Sequence, residues 1–401
     1  MDQAYILDGL RSPIGKFGGA LADIRTDDLA AHVIAEIVRK RPDINPSDID
    51  DVIMGCANQA GEDNRNIARM ALLLVGLPVG IPGETVNRLC ASGMAAIVHA
   101  MRAIKSGDAS LLIAGGIEHM TRAPYVISKP TKAYGTDSQL YDSSFGWRFI
   151  NPKMQQLYGT EAMGETAENL VELYRISRED QDLFAYRSQM KAAAALKNGR
   201  LAKEITPVII PRKKGEPLHV TDDEFIKPDT TPEILASLKP AFRKNGTVTA
   251  GNSSGLNDGA AALFIASETY CEAHSIEPMA RIVSMGVTGV EPRIMGIGPV
   301  KASEIALKKA GLTLDQMDII EINEAFAAQV LACTRQMNLA DDDPRINPNG
   351  GAIALGHPLG MTGARIVFSA ALQLALTGAR YALVTMCIGV GQGYAVVLER
   401  V

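Results

Sequence analysis

The sequence predicts an α/β fold made of two similar halves. Short apolar segments alternate with stretches of helical periodicity near both ends of the chain. The order of these elements in the first part recurs in the last part. The spacing recurs too: Cys56 to Gly93 is 37 positions, and Asn323 to Gly363 is 40. Residue identity between the halves is slight, so the match of order and spacing points to an old duplication. Strands alternating with helices imply buried, mostly parallel sheets.

The first element is a strand, Tyr5 to Asp8, followed by a Gly-rich loop. Thr26 or Asp27 can cap a helix whose apolar face is Leu29, Val33, Ile37 and Val38. A strand follows at Asp51 to Met54, then a helix at Asn66 to Val75 with Gly76 as its stop. Cys90 precedes a helix from about Gly93 to Ile104, and the strand Leu111 to Ala114 ends in Gly115-Gly116. In the second half a helix covers about Ala302 to Ala310. The strand Asp318 to Ile322 runs into Asn323-Glu324. A Gly-rich segment, Asn347 to Gly360, leads into a helix from about Thr362 to Leu376. The strand Tyr381 to Thr385 ends at Cys387.

Between the halves lies a different region, roughly 120 to 250. It carries two helices, about Thr160 to Tyr174 and Arg178 to Lys197, the second opened by Ser177 with Asp180. A basic excess follows: Arg200, Lys203, Arg212, Lys213, Lys214, Lys227, Lys239, Arg243 and Lys244. Two readings stay open, a solvated surface insertion or a cationic lid over an anionic substrate. The expected division is therefore 1–119 with 251–270 as one half, 120–250 as the inserted domain, and 271–401 as the other half.

Composition narrows the function. The 401 residues are 47% hydrophobic and 21% charged, ordinary for a globular chain. A net charge of −5 with 5% aromatics is a poor profile for a nucleic-acid binder. The N-terminus lacks a secretory pattern, and the apolar stretch Met70 to Pro82 is too short to span a membrane. A cytoplasmic enzyme is expected. The five cysteines, Cys56, Cys90, Cys271, Cys333 and Cys387, are odd in number, and no pair has zinc-site spacing. Reduced thiols and no metal are expected.

Each chemical candidate sits in or beside a loop at the end of an apolar segment, where ligands bind in open α/β sheets. Cys90 lies at a helix N-terminus, where unpaired N–H groups favour thiolate. Its plain alternative is a small buried hydrophobe. His357 stands in a loop with glycines at 350, 351, 356 and 360 and prolines at 348 and 358, more contortion than a surface histidine needs. Its natural task is to take the thiol proton. Cys387 is either inert packing or a second proton carrier. The Asn323 amide could hold a water or a carbonyl oxygen, or be a turn residue. The run Thr249 to Ala262 is mostly small residues and permits close approach of a long, thin ligand; it could also be a packing seam. A cysteine hydrolase needs one thiol and a base. Making or breaking a carbon–carbon bond beside a thioester needs one group to hold the acyl chain and another to move a proton at carbon. Two thiols and an imidazole suit that second chemistry.

The segments around Cys90, Asn323-Glu324-Ala325-Phe326, Gly356-His357-Pro358 and Cys387-Ile388-Gly389-Val390-Gly391-Gln392-Gly393 resemble those of thiolases, in order and along the whole chain. Within that family GCANQAGEDNRNIARMALLL from Gly55, GWRFINPKM from Gly146 and VEPRIMGIGPV ending at Val300 resemble enzymes of aromatic-compound degradation that act on 3-oxoadipyl-CoA. The resemblance implies two βαβαβαββ halves with five-stranded mixed sheets sandwiching helices, assembled as a homodimer or homotetramer. It implies Cys90 as acyl nucleophile, Cys387 as acid/base, His357 as activator of Cys90, Asn323 as holder of a water, and Gly389 N–H with Cys90 N–H as an oxyanion site. Ser254, Met163, Ala250 and, less directly, Lys227 would contact coenzyme A, a substrate rather than a bound cofactor. Ala162 stands where biosynthetic relatives tend to carry histidine, which implies a different acyl pocket. Arg122, Arg148 and Lys129 are the cations expected to compete for a terminal carboxylate. A general 3-ketoacyl-CoA thiolase, or a non-catalytic acyl-CoA binder, are the alternatives.

Overall fold

A computed structural model describes residues 2–212 and 214–401; Lys213 of the basic segment lies outside them. One continuous mixed sheet organises the chain. Its order is Ile319–Ile322, Tyr381–Ile388, Gln392–Arg400, Ala280–Gly289, Ala4–Arg11, Asn257–Ser267, Leu111–His119, Asp51–Gly55 and Gly83–Val86, with the short Gly15–Lys16 on Asn257–Ser267. The two halves meet where Ala4–Arg11 pairs antiparallel with Ala280–Gly289 through Tyr5 with Arg281 and Ile6 with Ala280. Each half contributes the same order outward from that seam.

The fifth strand of the second half is reduced to a single parallel bridge, Ile320 with Ile346. A side chain replaces the rest of the ladder. Asn347 Oδ1 accepts from Ile322 N–H at 2.8 Å, and its Nδ2 donates to Ile322 O at 2.9 Å. The next residue, Pro348, has no N–H to continue a strand.

Strand alternation explains the layers. In the first strand Ala4 and Ile6 face one core while Tyr5 and Leu7 face another; Leu112 and Ala114 oppose Leu111 and Ile113 in the same way. The inner faces of both half-sheets close on two buried helices, Ser92–Ser106 and Leu359–Thr377. The helices Thr26–Lys40 and Ile67–Val75 cover the outer face of the first half. Gly298–Ala310 and Ala327–Gln336 cover that of the second. Among the described residues, Leu359–Thr377 alone is long and apolar enough to cross a membrane, and most of it is buried inside this core.

Three expectations shift. The sheet is not mostly parallel: among the described strands, only Asp51–Gly55 with its two neighbours and Ile319–Ile322 with Tyr381–Ile388 pair parallel, because the strands nearest the seam return antiparallel. Neither Thr26 nor Asp27 caps the first helix; Glu62 does, accepting Thr26 N–H at 3.0 Å. The basic excess after Lys197 is also partly spent. Arg200 pairs with Glu204 at 2.7 Å, and Arg243 with Glu165 and Glu172 at 2.8 and 2.6 Å. Glu204 also takes Arg11, whose guanidinium reaches Asp223 at 2.7 and 2.9 Å, all fully buried. This network fastens the 200–224 segment to the first strand. The helices Met163–Tyr174 and Arg178–Lys197 pack on Ala327–Gln336 of the second half.

Candidate active site

The two central helices cross at their first turns. A Cβ on Gly93 would meet Gly360 O at 2.6 Å, and one on Gly363 would collide with Met94. Only glycines let the backbones approach this closely. Cys90 stands just before one helix and His357 just before the other, so the crossing delivers both to one place.

Each loop holds its residue in a demanding conformation. Leu89 has φ +46, and Val390, opposite, has φ +64, both rare for side chains of this kind. Leu89 is held because its N–H donates to Asn87 Oδ1 at 2.9 Å and its carbonyl accepts from Ser92 Oγ at 2.7 Å. Gly356 has φ +107, and any Cβ there would strike the Asn257 amide. Asn257 Oδ1 accepts His357 N–H at 2.9 Å and its Nδ2 donates to Gly15 O at 3.0 Å. Glu324 binds the preceding loop: it accepts Ser188 Oγ at 2.6 Å, Asn347 Nδ2 at 2.8 Å and Ile353 N–H at 3.2 Å. Glu118 accepts Ala57 and Asn58 N–H at 3.0 Å and Gly360 N–H at 2.8 Å, tying the loop beside Cys90 to the second central helix. Burial pushes its carboxyl up to about 7 against those three donors.

Cys90, His357 and Cys387 converge on one cavity of about 260 Å³, with Met163 and Ser254 also in its lining. Its walls include Phe242, Met295 and Phe326. A second cavity of about 400 Å³ meets it at Cys90, Met163, Phe145 and Leu359, and is lined further by Gly389, Ala162 and Arg148. Asn323 reaches the site through its Nδ2, 3.3 Å from His357 Nε2; its Oδ1 is buried with no protein partner. Ala250 and Lys227 are exposed and in neither lining; the Lys227 ammonium lies 5.0 Å over the Phe225 ring.

The hydrogen-bond network assigns the imidazole tautomer. Thr362 Oγ1 donates to Pro358 O at 2.8 Å, which commits its only proton. His357 Nδ1, 2.7 Å away, must therefore be the donor to that oxygen. Nε2 is left with a lone pair facing Asn323 Nδ2 and the cavity. Burial, aided by the Arg365 charge, pushes His357 down to about 3, so it is neutral.

Cys90 departs from the thiolate expected at a helix N-terminus. Burial pushes its thiol up to about 11, although the N–H groups of Gly389 and of Cys90 itself pull the other way. Desolvation outweighs two N–H dipoles here, even though Cys90 is only half-buried and opens on both cavities. Cys387 is raised well above the usual thiol range, first by burial and then by the neighbouring Cys90 and Cys333 sulfurs. The resting site is thus two thiols and a neutral imidazole, with every proton in place.

Asn257, Thr362, Glu118 and Glu324 were not singled out as single residues by the sequence. Asn257 and Glu324 lie inside the quoted motifs, but only the fold shows that they hold the loops rather than touch the cavity.

Comparison with known sequences identifies the class. The profile of the thiolase N-terminal domain matches residues 4–269, and that of the C-terminal domain matches 276–400. The chain belongs to the thiolase family. It is 57% identical over 401 residues to the beta-ketoadipyl-CoA thiolase of Escherichia coli, covering all of both chains. It is equally similar, over the same span, to a 3-oxoadipyl-CoA/3-oxo-5,6-dehydrosuberyl-CoA thiolase of Escherichia coli strain K12. The crystal structure of the Bacillus anthracis acetyl-CoA acetyltransferase superposes with a TM-score of 0.91 at 40% identity, covering 100% of this chain and 99% of that one.

Proposed function

We propose that this thiolase cleaves 3-oxoadipyl-CoA with coenzyme A to give succinyl-CoA and acetyl-CoA. The observation that carries the reading is the meeting of two thiols and one imidazole at a shared cavity, in a chain 57% identical end to end to a beta-ketoadipyl-CoA thiolase. Both substrates named for the K12 relative are chains that end in a second carboxylate.

As the substrate's carbon 3 is attacked, the Cys90 thiol passes its proton to His357 Nε2. The new S–C bond forms, and the oxygen gains charge beside the Gly389 and Cys90 N–H groups. The bond between carbons 2 and 3 then breaks. The departing acetyl-CoA enolate takes a proton from Cys387, whose burial keeps it protonated until a carbanion demands it. His357 and a water on Asn323 Oδ1 hold the enolate oxygen. Cys387, now thiolate, removes the proton from incoming coenzyme A. That sulfur attacks the succinyl thioester, and Cys90 leaves and recovers its proton.

The cavities divide the substrate. Cys387 and His357 line the smaller one, so the acetyl-CoA side belongs there, beside Ser254. The acyl chain on Cys90 then extends into the larger one, where Ala162 leaves room that a histidine would fill. Residues 120–250 serve as the lid over coenzyme A, with Ala250 and Lys227 as outlying contacts, and the chain works as a homodimer or homotetramer.

Catalytic efficiency on 3-oxoadipyl-CoA and on 3-oxohexanoyl-CoA tests the reading. The first should exceed the second. Equal values would leave a general 3-ketoacyl-CoA thiolase.

A further inference from the structure

We infer that Arg148 reads the substrate's terminal carboxylate and sets the preference for dicarboxylyl chains; the inference rests on the substrate reading above. A carboxylate in a largely apolar cavity needs a partner, since an unpaired buried charge is costly. Arginine suits the task, because its planar fork can take both oxygens.

Three cations competed for this role in the sequence, and the structure separates them. Arg122 is occupied: its guanidinium donates to both oxygens of Glu62 at 2.8 and 2.6 Å and to Ala22 O at 3.1 Å. Lys129 is exposed on the segment after the Tyr125–Ile127 strand and lines neither cavity. Arg148 lines the larger cavity together with Cys90. Among the described residues it meets no carboxylate within salt-bridge range, and its one side-chain hydrogen bond is a 3.5 Å contact to Ser143 O. The other charged group of that cavity, Glu118, is engaged by three backbone N–H donors.

The cavity's location makes the same assignment. Of the two that meet at Cys90, the smaller holds the proton-handling groups and no arginine or lysine. The larger holds Arg148 among Leu89, Phe145, Trp147 and Val390. A succinyl group on Cys90 carries its free carboxylate three carbon–carbon bonds from the thioester carbon, about 4 Å extended. Cys90 and Arg148 line that same cavity. Shorter or neutral chains would leave the guanidinium with solvent and lose nothing but that contact.

The test compares 3-oxoadipyl-CoA with 3-oxohexanoyl-CoA, equal in chain length, on the wild-type enzyme and on Arg148→Gln and Arg148→Lys. Arg148→Gln should lose roughly 10- to 100-fold in kcat/KM on 3-oxoadipyl-CoA, the range of a charged hydrogen bond. It should keep its activity on 3-oxohexanoyl-CoA, which also shows that the variant is folded. Arg148→Lys should recover part of the selectivity. A wild-type preference that survives Arg148→Gln, or an equal loss on both substrates, overturns the role of Arg148 while leaving the substrate reading intact. A wild-type enzyme with no preference overturns the substrate reading, and this inference with it.

Discussion

The Cys90 sulfur is held between opposing influences. Two N–H groups point at it, yet enclosure by protein keeps the thiol protonated and pushes it up to about 11. A neutral imidazole with its lone pair on Nε2 completes the pair. On the proposed mechanism the proton therefore moves when substrate charge develops, not before. Alkylation of Cys90 by iodoacetamide should rise about tenfold per pH unit from 7 to 9, because thiolate is the reactive form. A plateau near pH 7 would show a resting thiolate instead. The proposed mechanism gives Cys387 a separable task. Cys387→Ala should retain Cys90 alkylation and lose roughly 10²- to 10⁴-fold in thiolysis, the usual worth of a positioned acid/base. A variant near wild-type activity would assign Cys387 to packing alone.

At the scale of elements, the site is made by two helices that meet at glycines. Sequence periodicity located both helices, and Ser177 capped Arg178–Lys197 as its spacing implied. It did not reveal that the helix starts touch, because Gly93, Gly360 and Gly363 signal only permission for close approach. Gly93→Ala should push the second helix away through Gly360 O. Overpacking of this sort costs roughly 1–3 kcal/mol. The expected result is a Tm lower by a few degrees with a larger loss of kcat, since Cys90 and His357 shift relative to each other. Stability loss with unchanged kcat would mean the crossing does not set the catalytic geometry. The strands Ala280–Gly289 and Gln392–Arg400 were illegible in sequence for another reason. Glycine and polar residues break their alternation, and the two strands pair antiparallel with each other from opposite ends of the second half, which no local pattern announces. Glu62 likewise replaces a local cap with one 36 residues away.

Across the whole molecule, ion pairs fasten the 120–250 region to the sheet halves. Glu62 joins Arg122 of that region to Arg25 and the Thr26–Lys40 helix. The Arg122 bond first, then Thr26 N–H and Arg25, hold its carboxyl down at about 2 against its burial. Its folded value is below its unfolded one, near 4.5. Its contribution is complete above that pH and is lost as pH falls toward 2. Glu62→Gln should lower Tm at pH 7, and the gap to wild type should close as pH drops below 4.5. A gap independent of pH would mean that shape, not charge, matters at this position. The two-half architecture and the candidate residues Cys90, His357 and Cys387 were legible in sequence because each lies within one short continuous motif. The shared cavity was not, because its walls come from segments far apart in sequence, among them 89–90, 145–148, 162–163, 254–256, 325–326, 357–359 and 387–390.

The most direct test of the proposed chemistry is to mix the enzyme with 3-oxoadipyl-CoA in the absence of free coenzyme A, quench, and map the acyl adduct by peptide mass spectrometry. One succinyl group on Cys90, with one equivalent of acetyl-CoA released, is the predicted result. Release of free coenzyme A with 3-oxoadipate, or an adduct on any other residue, would contradict the account.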